Sequence, residues 1–325
     1  MMVLVVGTTE TAAIDGISAA GADPEAMRYT PAADAELLAY GDVVETPAVP
    51  VSPSGCPTPA LVARAVREVV GFDLITLDSG LVAETGAPTV SIGDAAGNDI
   101  RELTAVPDAG TLWDRAEQYG RQLPVDRLVL AESIPGGTTT ALAVSEALGV
   151  DLSVSSSLPD NPLERKREVV ADALAASGVG AGDLAGEPRR TLQTVGDPVL
   201  AALAGTAAGA LTAGTDVVLA GGTQQLAVTA LLRHADITAP LEVATTPFVA
   251  DDPTATVRET ARLLDVDLTV TNPGFGTENH VVFERYRAGE AKEGAGMGGA
   301  LAIADREDVS MATIRDRIRR LYENL

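Results

Sequence analysis

Short runs of apolar residues, each followed by a longer stretch with helical spacing, recur through the middle of this sequence, and that alternation admits few architectures. Val3–Val6, Asp73–Leu77, Asp126–Ala131, Asp216–Ala220, Leu241–Thr245 and Leu268–Thr271 read as strands. Leu61–Val70, Thr111–Gly120, Thr139–Gly149, Leu163–Ala176, Pro198–Ala210, Gln225–Leu232 and Thr256–Leu264 read as helices, with Gly149 as the residue that ends its helix. Continuous apolar strands separated by helices belong to a parallel sheet covered on both faces. The fold class expected is therefore α/β, a mainly parallel Rossmann-like sheet flanked by helices. Such sheets bind ligands beyond the carboxyl ends of their strands, and candidate sites are sought there.

The two ends of the chain read differently. Thr8–Ala22 is a polar, Gly-containing turn followed by small residues, and Asp23–Pro59 is a Pro-, Ala- and acid-rich arm of short elements closing in a Pro/Ser/Gly cluster. Gly274–Val282 and Ala288–Gly299 are Gly-rich and polar. Ser310–Leu325 is an amphipathic helix with Ile314, Ile318, Leu321 and Leu325 on one stripe. A large nucleotide-binding domain over 60–272 is expected, with a smaller domain from 1–59 and 273–325 completing the site. No internal repeat is visible.

The net charge of −23 excludes nucleic acid and anionic membrane surfaces as partners, because phosphate-rich surfaces need clustered cations. No apolar stretch reaches the length of a membrane helix, and Met1–Gly7 reads as a strand without the basic start of a signal peptide. A cytoplasmic protein is expected. Aromatic residues are only 3%, so Val, Leu, Ile and Ala must build the core. Lys166 and Lys292 are the only lysines in the chain; the other Lys-or-Arg positions are all arginine. An acidic, lysine-poor chain fits a salt-loving cytosol, or simply a GC-rich genome. Cys56 is the single cysteine, and His234 and His280 are far apart, so neither an internal disulfide nor a metal site is expected.

Three strand ends carry residues suited to ligand chemistry. The first is Glu132-Ser133-Ile134-Pro135-Gly136-Gly137-Thr138-Thr139-Thr140. Glycines let the backbone turn and approach a ligand closely, and the free N–H groups of a helix start, with threonine hydroxyls, form an anion pocket. No lysine follows the glycines, so this is not a Walker A loop. An ordinary turn with a threonine cap has the same composition; Glu132 at the end of the strand favours function. Gly222 and Thr223 after Asp216–Ala220, and Asp78 and Ser79 after Asp73–Leu77, lie on the same edge as candidate substrate contacts or plain turns.

Two further candidates stand on the lysines. Lys166 on a helix face is ordinarily solvated, but the chain has all but eliminated lysine, and a phosphate in so acidic a protein needs a compact cation. Lys292-Glu293-Gly294-Ala295-Gly296-Met297-Gly298-Gly299 satisfies G-x-G-x-x-G, yet no strand precedes it and too little chain follows for a βαβ unit. It reads better as a carboxylate on a close-approach loop, with Glu293 a candidate general base and Gly294 and Gly296 candidate substrate contacts. A flexible surface loop is the alternative. His280 is catalytic or structural; Cys56 and His234 read as structural.

Taken in order, Glu132 with its Gly/Thr loop, Lys166, and Glu293–Gly296 resemble the nicotinate-nucleotide–dimethylbenzimidazole phosphoribosyltransferases, in particular a divergent archaeal branch, also in Val3–Ala22 and Thr271–Ile303. The resemblance covers most of the chain. It implies that Gly136, Gly137, Thr138 and Thr139 take the nucleotide phosphate, that Lys166 assists, and that Glu293 is the catalytic base in a Gly-Glu-Gly-x-Gly-Ala motif. It further implies that Glu132 offers negative charge to the developing oxocarbenium, that no cofactor is needed, and that the protein is a homodimer. The substrates implied are nicotinate mononucleotide and a benzimidazole-like base, for the lower ligand of a cobamide. Two departures stand out. Ser52–Pro59 lacks the lysine that the bacterial family carries near its base pocket, and Lys292 replaces the first glycine of the last motif. Transfer to a different base, nucleotide hydrolysis, and non-catalytic nucleotide binding use the same phosphate loop, and the sequence leaves them open.

Overall fold

The computed structural model describes residues 1–18, 24–52 and 54–325; the end of the opening stretch read over Thr8–Ala22, the first residue of the arm, Asp23, and Pro53 of the Ser52–Pro59 segment lie outside it. The elements run β1 (Met2–Val6), α1 (Pro24–Met27), α2 (Thr30–Tyr40), α3 (Ala60–Val70), β2 (Leu74–Asp78), β3 (Thr89–Ser91), α4 (Ala109–Gln122), β4 (Arg127–Ser133) and α5 (Gly137–Leu148). They continue with α6 (Leu163–Ser177), α7 (Pro188–Val195), α8 (Pro198–Thr212), β5 (Asp216–Ala220), α9 (Thr223–His234), β6 (Glu242–Thr245), α10 (Pro247–Ala250), α11 (Val257–Leu263) and β7 (Asp267–Val270). The chain closes with α12 (Val281–Arg287), α13 (Met297–Arg306) and α14 (Met311–Tyr322).

The seven strands form one sheet in the order β3-β2-β1-β4-β5-β6-β7, and every neighbouring pair is parallel. The chain builds outward from β1 in one direction, then returns to β4 and builds in the other. The crevice beyond the carboxyl ends of β1 and β4 is thus the topological switch point, where open α/β sheets bind ligands. Register is set by two-faced burial, since alternate residues of a strand point to opposite faces. Val3, Val5, Leu128, Leu130, Val217, Leu219 and Val243 pack under α4, α5, α8 and α9, while Met2, Leu4, Val6, Val129, Ala131, Val218, Ala220 and Ala244 pack under α3, α12, α13 and α14.

The second face is lined with alanines for a reason that reaches the site. A Cβ on Gly298 would sit 2.4 Å from the Thr245 Cα and 2.7 Å from the Ala244 carbonyl oxygen, and one on Gly299 2.3 Å from the Ala220 Cβ. The first turn of α13 therefore lies backbone-on-sheet across β5 and β6, which brings the preceding loop and Glu293 to the carboxyl edge.

On the other face α4 and α8 pack as closely. A Cβ on Gly209 would lie 2.0 Å from the Glu117 carbonyl oxygen, a backbone atom with no rotamer to relax into. Gly209→Ala is expected to cost about 3 kcal/mol or more, at or above the upper end of ordinary overpacking. Chemical denaturation checks it: an unchanged midpoint would mean that the helix pair separates freely.

Most expected elements are found, β5 at its expected bounds. The arm is more ordered than its composition implied: α2 is eleven residues long, and Thr30 to Leu38 are all buried. Its Glu36 is held by N–H groups of Val44, Glu45, Thr46 and Gly86, so a buried acid is satisfied by distant backbone. β3, α7 and α12 were not anticipated. The final helix is shorter than expected. Ser310 caps it by accepting from the Thr313 N–H, it stops at Tyr322, and Leu325 is 45% exposed instead of packed on the stripe.

Candidate active site

β4 is buried from Leu128 onward and delivers Glu132 and Ser133 to its carboxyl end. Ile134 and Pro135 turn the chain, and Gly136 at φ 81° starts α5. Only glycine adopts that conformation cheaply. The turn forms one wall of a cleft with about 990 Å³ of open space, its mouth included. Facing walls come from Thr30 and Asp34 of α2, from the Pro50–Pro59 segment, from Ser155–Ser157, from Gly222–Gln224, and from Ala291–Ala295. Its lining includes the apolar residues Ile17, Pro50, Val51, Cys56, Ile134 and Val249.

The loop ahead of α13 is fastened to this wall through its backbone. The Ala295 N–H donates to the Glu132 carbonyl at 2.9 Å, and the Ala291 N–H to that of Ser157 at 3.1 Å. Ala291 and Ala295 both hold φ near 45°, a strained conformation for residues other than glycine that persists only where surroundings enforce it. Glu293 projects from this loop into the cleft. Its Oε1 accepts from the N–H groups of Gly298 at 2.9 Å and Gly294 at 3.3 Å. The start of α13 thus favours the carboxylate, but burial outweighs it and raises the carboxyl to about 7.

Glu132 lies deeper. Burial first, then the nearby charges of Glu293, Asp197 and Asp34, push its carboxyl well above the ordinary range, against a smaller opposing effect of the Gln224 side chain. Asp34 is raised to about 6 by burial, offset in part by hydroxyl donors from Ser133 and Thr58, each at 2.6 Å. Cys56 lies on the wall, and burial pushes its thiol up to about 12, so it is an inert apolar surface.

The polar end carries both lysines. Lys166 is fully buried behind the α5 turn, its Nζ donating to Thr138 Oγ1 at 2.8 Å and to the Ser155 carbonyl at 3.2 Å. It has no carboxylate partner among the described residues, and burial and the Lys292 charge lower it to about 7. Lys292 is paired with Asp252 at 2.8 Å. Hydrogen bonds from Lys292, Ser155 and Thr254 outweigh burial and hold Asp252 down at about 2, ionised throughout the physiological range.

The fold therefore brings together Glu132, Gly136, Gly137, Thr138, Gly222, Thr223, Glu293 and Gly294 around one cleft. Lys166 stands behind Thr138. Thr139 is buried beneath the turn, away from the cleft. Asp78 and Ser79 lie outside it: Asp78 accepts from the N–H groups of Gly80 and Leu81, and Ser79 donates to the Val6 carbonyl. Gly296 is also outside, placed where a Cβ would meet Ala131. His280 caps α12 and His234 accepts from the Gly186 N–H, both structural contacts. The sequence reading missed Asp34, the Ser155–Ser157 run and Asp252. The serine run was the one visible signal, and it is indistinguishable from an ordinary loop.

Among the described residues, no helix is long and apolar enough to cross a membrane. A family model described as phosphoribosyltransferase matches residues 113–240, which include the β4–α5 turn and Lys166 but not Glu293. The whole chain is 55% identical to the UPF0284 protein of Halobacterium salinarum, spanning 98% of it, and 39% identical to the UPF0284 protein of Thermococcus gammatolerans, again over 98%. Among solved structures, the nicotinate-nucleotide-dimethylbenzimidazole phosphoribosyltransferase of Thermus thermophilus matches 99% of this chain and 82% of its own, with a TM-score of 0.61 at 20% identity. That likeness is one of fold. The parallel α/β architecture and the family resemblance read from the three motifs are both borne out.

Proposed function

We propose that this chain, which belongs to the UPF0284 family and carries the phosphoribosyltransferase signature in its middle, moves ribose 5-phosphate from nicotinate mononucleotide to a benzimidazole-like base. The observation that carries this reading is the joining of two ends in one cleft. A helix start with a buried lysine behind it faces a wall where Glu293, a carboxyl at about 7, can take a proton near neutral pH.

In the proposed reaction the 5′-phosphate rests on Gly136–Thr138, and the base packs against apolar residues of the lining. One ring nitrogen of the base attacks C1′ of the ribose. The C1′–N bond to the pyridinium breaks, and its electron pair returns to the pyridine ring, releasing neutral-ring nicotinate. Glu293 takes the N–H proton of the attacking base. Glu132 meets a cationic pyridinium and then an oxocarbenium, and either positive charge shifts it toward the carboxylate and is stabilised by it. Attack opposite the leaving group gives an α-riboside phosphate. A product of this kind suits lower-ligand assembly of a cobamide. We further propose a cytoplasmic homodimer adapted to high salt, the last on its charge of −23.

A product assay tests the reading. Purified protein is incubated with nicotinate mononucleotide, with and without dimethylbenzimidazole, and products are resolved by mass. Base-dependent nicotinate release with a new riboside phosphate is expected. Nicotinate release without base would replace the transferase with a hydrolase, and binding without release would make the protein a nucleotide binder.

A further inference from the structure

The two lysines of this chain, far apart in a sequence that otherwise uses arginine, meet at one loop. Ser155 joins them. Its carbonyl accepts from Lys166 Nζ at 3.2 Å, while its hydroxyl donates at 2.6 Å to Asp252 Oδ2, the same oxygen that takes Lys292 Nζ at 2.8 Å. Lys166 and Lys292 are 0% and 7% exposed. Asp252 pairs with Lys292 alone, and Lys166 stands one serine away without an ion pair of its own among the described residues, so both lysines of a protein of net charge −23 are gathered at one locus.

The two are not equivalent. Lys292 lines the cleft together with Ser155, Ser156, Ser157 and Thr138, whereas Lys166 stands behind that wall. An ammonium has three protons to donate. Asp252 is the one acceptor of Lys292 Nζ among the described residues, which leaves two donors for whatever enters. Asp252 is itself fixed by the Thr254 N–H at 2.9 Å and the Thr254 hydroxyl at 2.7 Å. Its second oxygen is thereby occupied, so the lysine is held at the cleft wall and not drawn away from it.

We infer that Lys292 is a substrate-binding cation that contacts the 5′-phosphate directly, with Asp252 as its positioning residue, and that it gives this chain its discrimination for a phosphorylated sugar. The inference rests on the phosphoribosyl reading above. A phosphate, and not the nicotinate carboxylate, is the anion it takes, because the α5 turn, Lys166 and the serine run converge on the same end. Lysine at this position also answers a general difficulty: a dianion approaching so acidic a protein is repelled unless a local cation offsets the field.

The test is ligand binding by calorimetry, which needs no turnover. Ribose 5-phosphate and nicotinate are titrated into wild-type protein, Asp252→Asn, Lys292→Met, and the double variant. The double variant removes the ion pair as a whole, which guards against unfolding from a lone buried charge. The double variant is expected to bind ribose 5-phosphate about 10- to 100-fold more weakly, the range of a charge-assisted hydrogen bond, with nicotinate affinity unchanged. Asp252→Asn keeps the ammonium and loses its neutralising partner, so its ribose 5-phosphate affinity is expected to hold or rise. A purely structural ion pair predicts instead that Asp252→Asn and Lys292→Met weaken binding alike, and that result, or equal affinity in wild type and double variant, overturns the role of Lys292. Failure of the wild type to bind ribose 5-phosphate or nicotinate mononucleotide at all would overturn the phosphoribosyl reading itself.

Discussion

Replacing Glu293 by Gln is expected to lower kcat by about 10²- to 10⁴-fold, the usual contribution of a positioned proton acceptor, while KM for nicotinate mononucleotide moves by a few-fold at most. The substitution is conservative where structure is concerned. Glu293 Oε1 caps α13 by accepting from the N–H groups of Gly298 and Gly294, and an amide oxygen accepts the same bonds. The capacity to take a proton is what is lost. The pH profile supplies an independent check. Glu293 acts as a base only when ionised, and its carboxyl is raised to about 7. Wild-type kcat/KM should therefore rise about tenfold per pH unit on the acid side of about 7. The residual activity of the Gln variant should be flat across that limb. Steady-state kinetics from pH 5.5 to 8.5 with both proteins decides it. Parallel losses in kcat and substrate affinity, with the acid limb retained, would reduce Glu293 to a helix cap.

The place of Glu293 in the cleft was legible because glycine marks it. A run of glycines around one acid is visible in any sequence, and here Gly298 and Gly299 are dictated by the contact of α13 with β6 and β5, and Gly296 by Ala131 of β4. The central strands β1, β4, β5 and β6 were legible for a similar reason: they are buried on both faces, so they read as continuous apolar runs. α2 was missed for the opposite reason. Buried all round and built of Thr, Pro, Ala, Asp, Glu and Leu, it has no apolar stripe, and its acids are satisfied by residues that only the fold brings near. α7 did offer a signal, with Pro188, Thr191, Leu192 and Val195 buried at helical spacing, but it is short and lies in a Gly- and Asp-rich setting. β3 is three exposed residues at the sheet edge and has no pattern to read. The partners of the lysines were out of reach altogether. Nothing in a sequence links Ser155 to Asp252, since the hydrogen bond joins loops on two different strand–helix units.

Binding of nicotinate mononucleotide is expected to weaken as pH rises above 7, by up to about tenfold per unit, and Lys166→Met is expected to remove most of that slope. In the free protein Lys166 has no carboxylate of its own among the described residues, and burial and Lys292 bring it down to about 7. A bound phosphate dianion beside the Thr138 turn stabilises the ammonium and raises that value. Binding between the two values therefore takes up a proton, and affinity falls as that proton becomes scarce. The other groups at this end contribute little of the slope. A phosphate monoester has a second pKa of about 6 and is already a dianion above 7. Asp252, at about 2, stays ionised throughout. Glu293 does titrate in the same window, and its ionisation opposes an anion with the same sign. The Lys166→Met variant separates the two, since the slope it retains belongs to Glu293. At pH 6.5 the variant should bind about 10- to 100-fold more weakly than wild type, as for a lost charge-assisted bond. Near pH 9 the difference should shrink, because the wild-type lysine is then more often neutral when the ligand arrives. Calorimetry in two buffers of different ionisation enthalpy reads the proton uptake directly. If wild-type binding takes up no proton between pH 7 and 8.5, Lys166 is charged in the free protein, and the electrostatic account of the phosphate end is wrong.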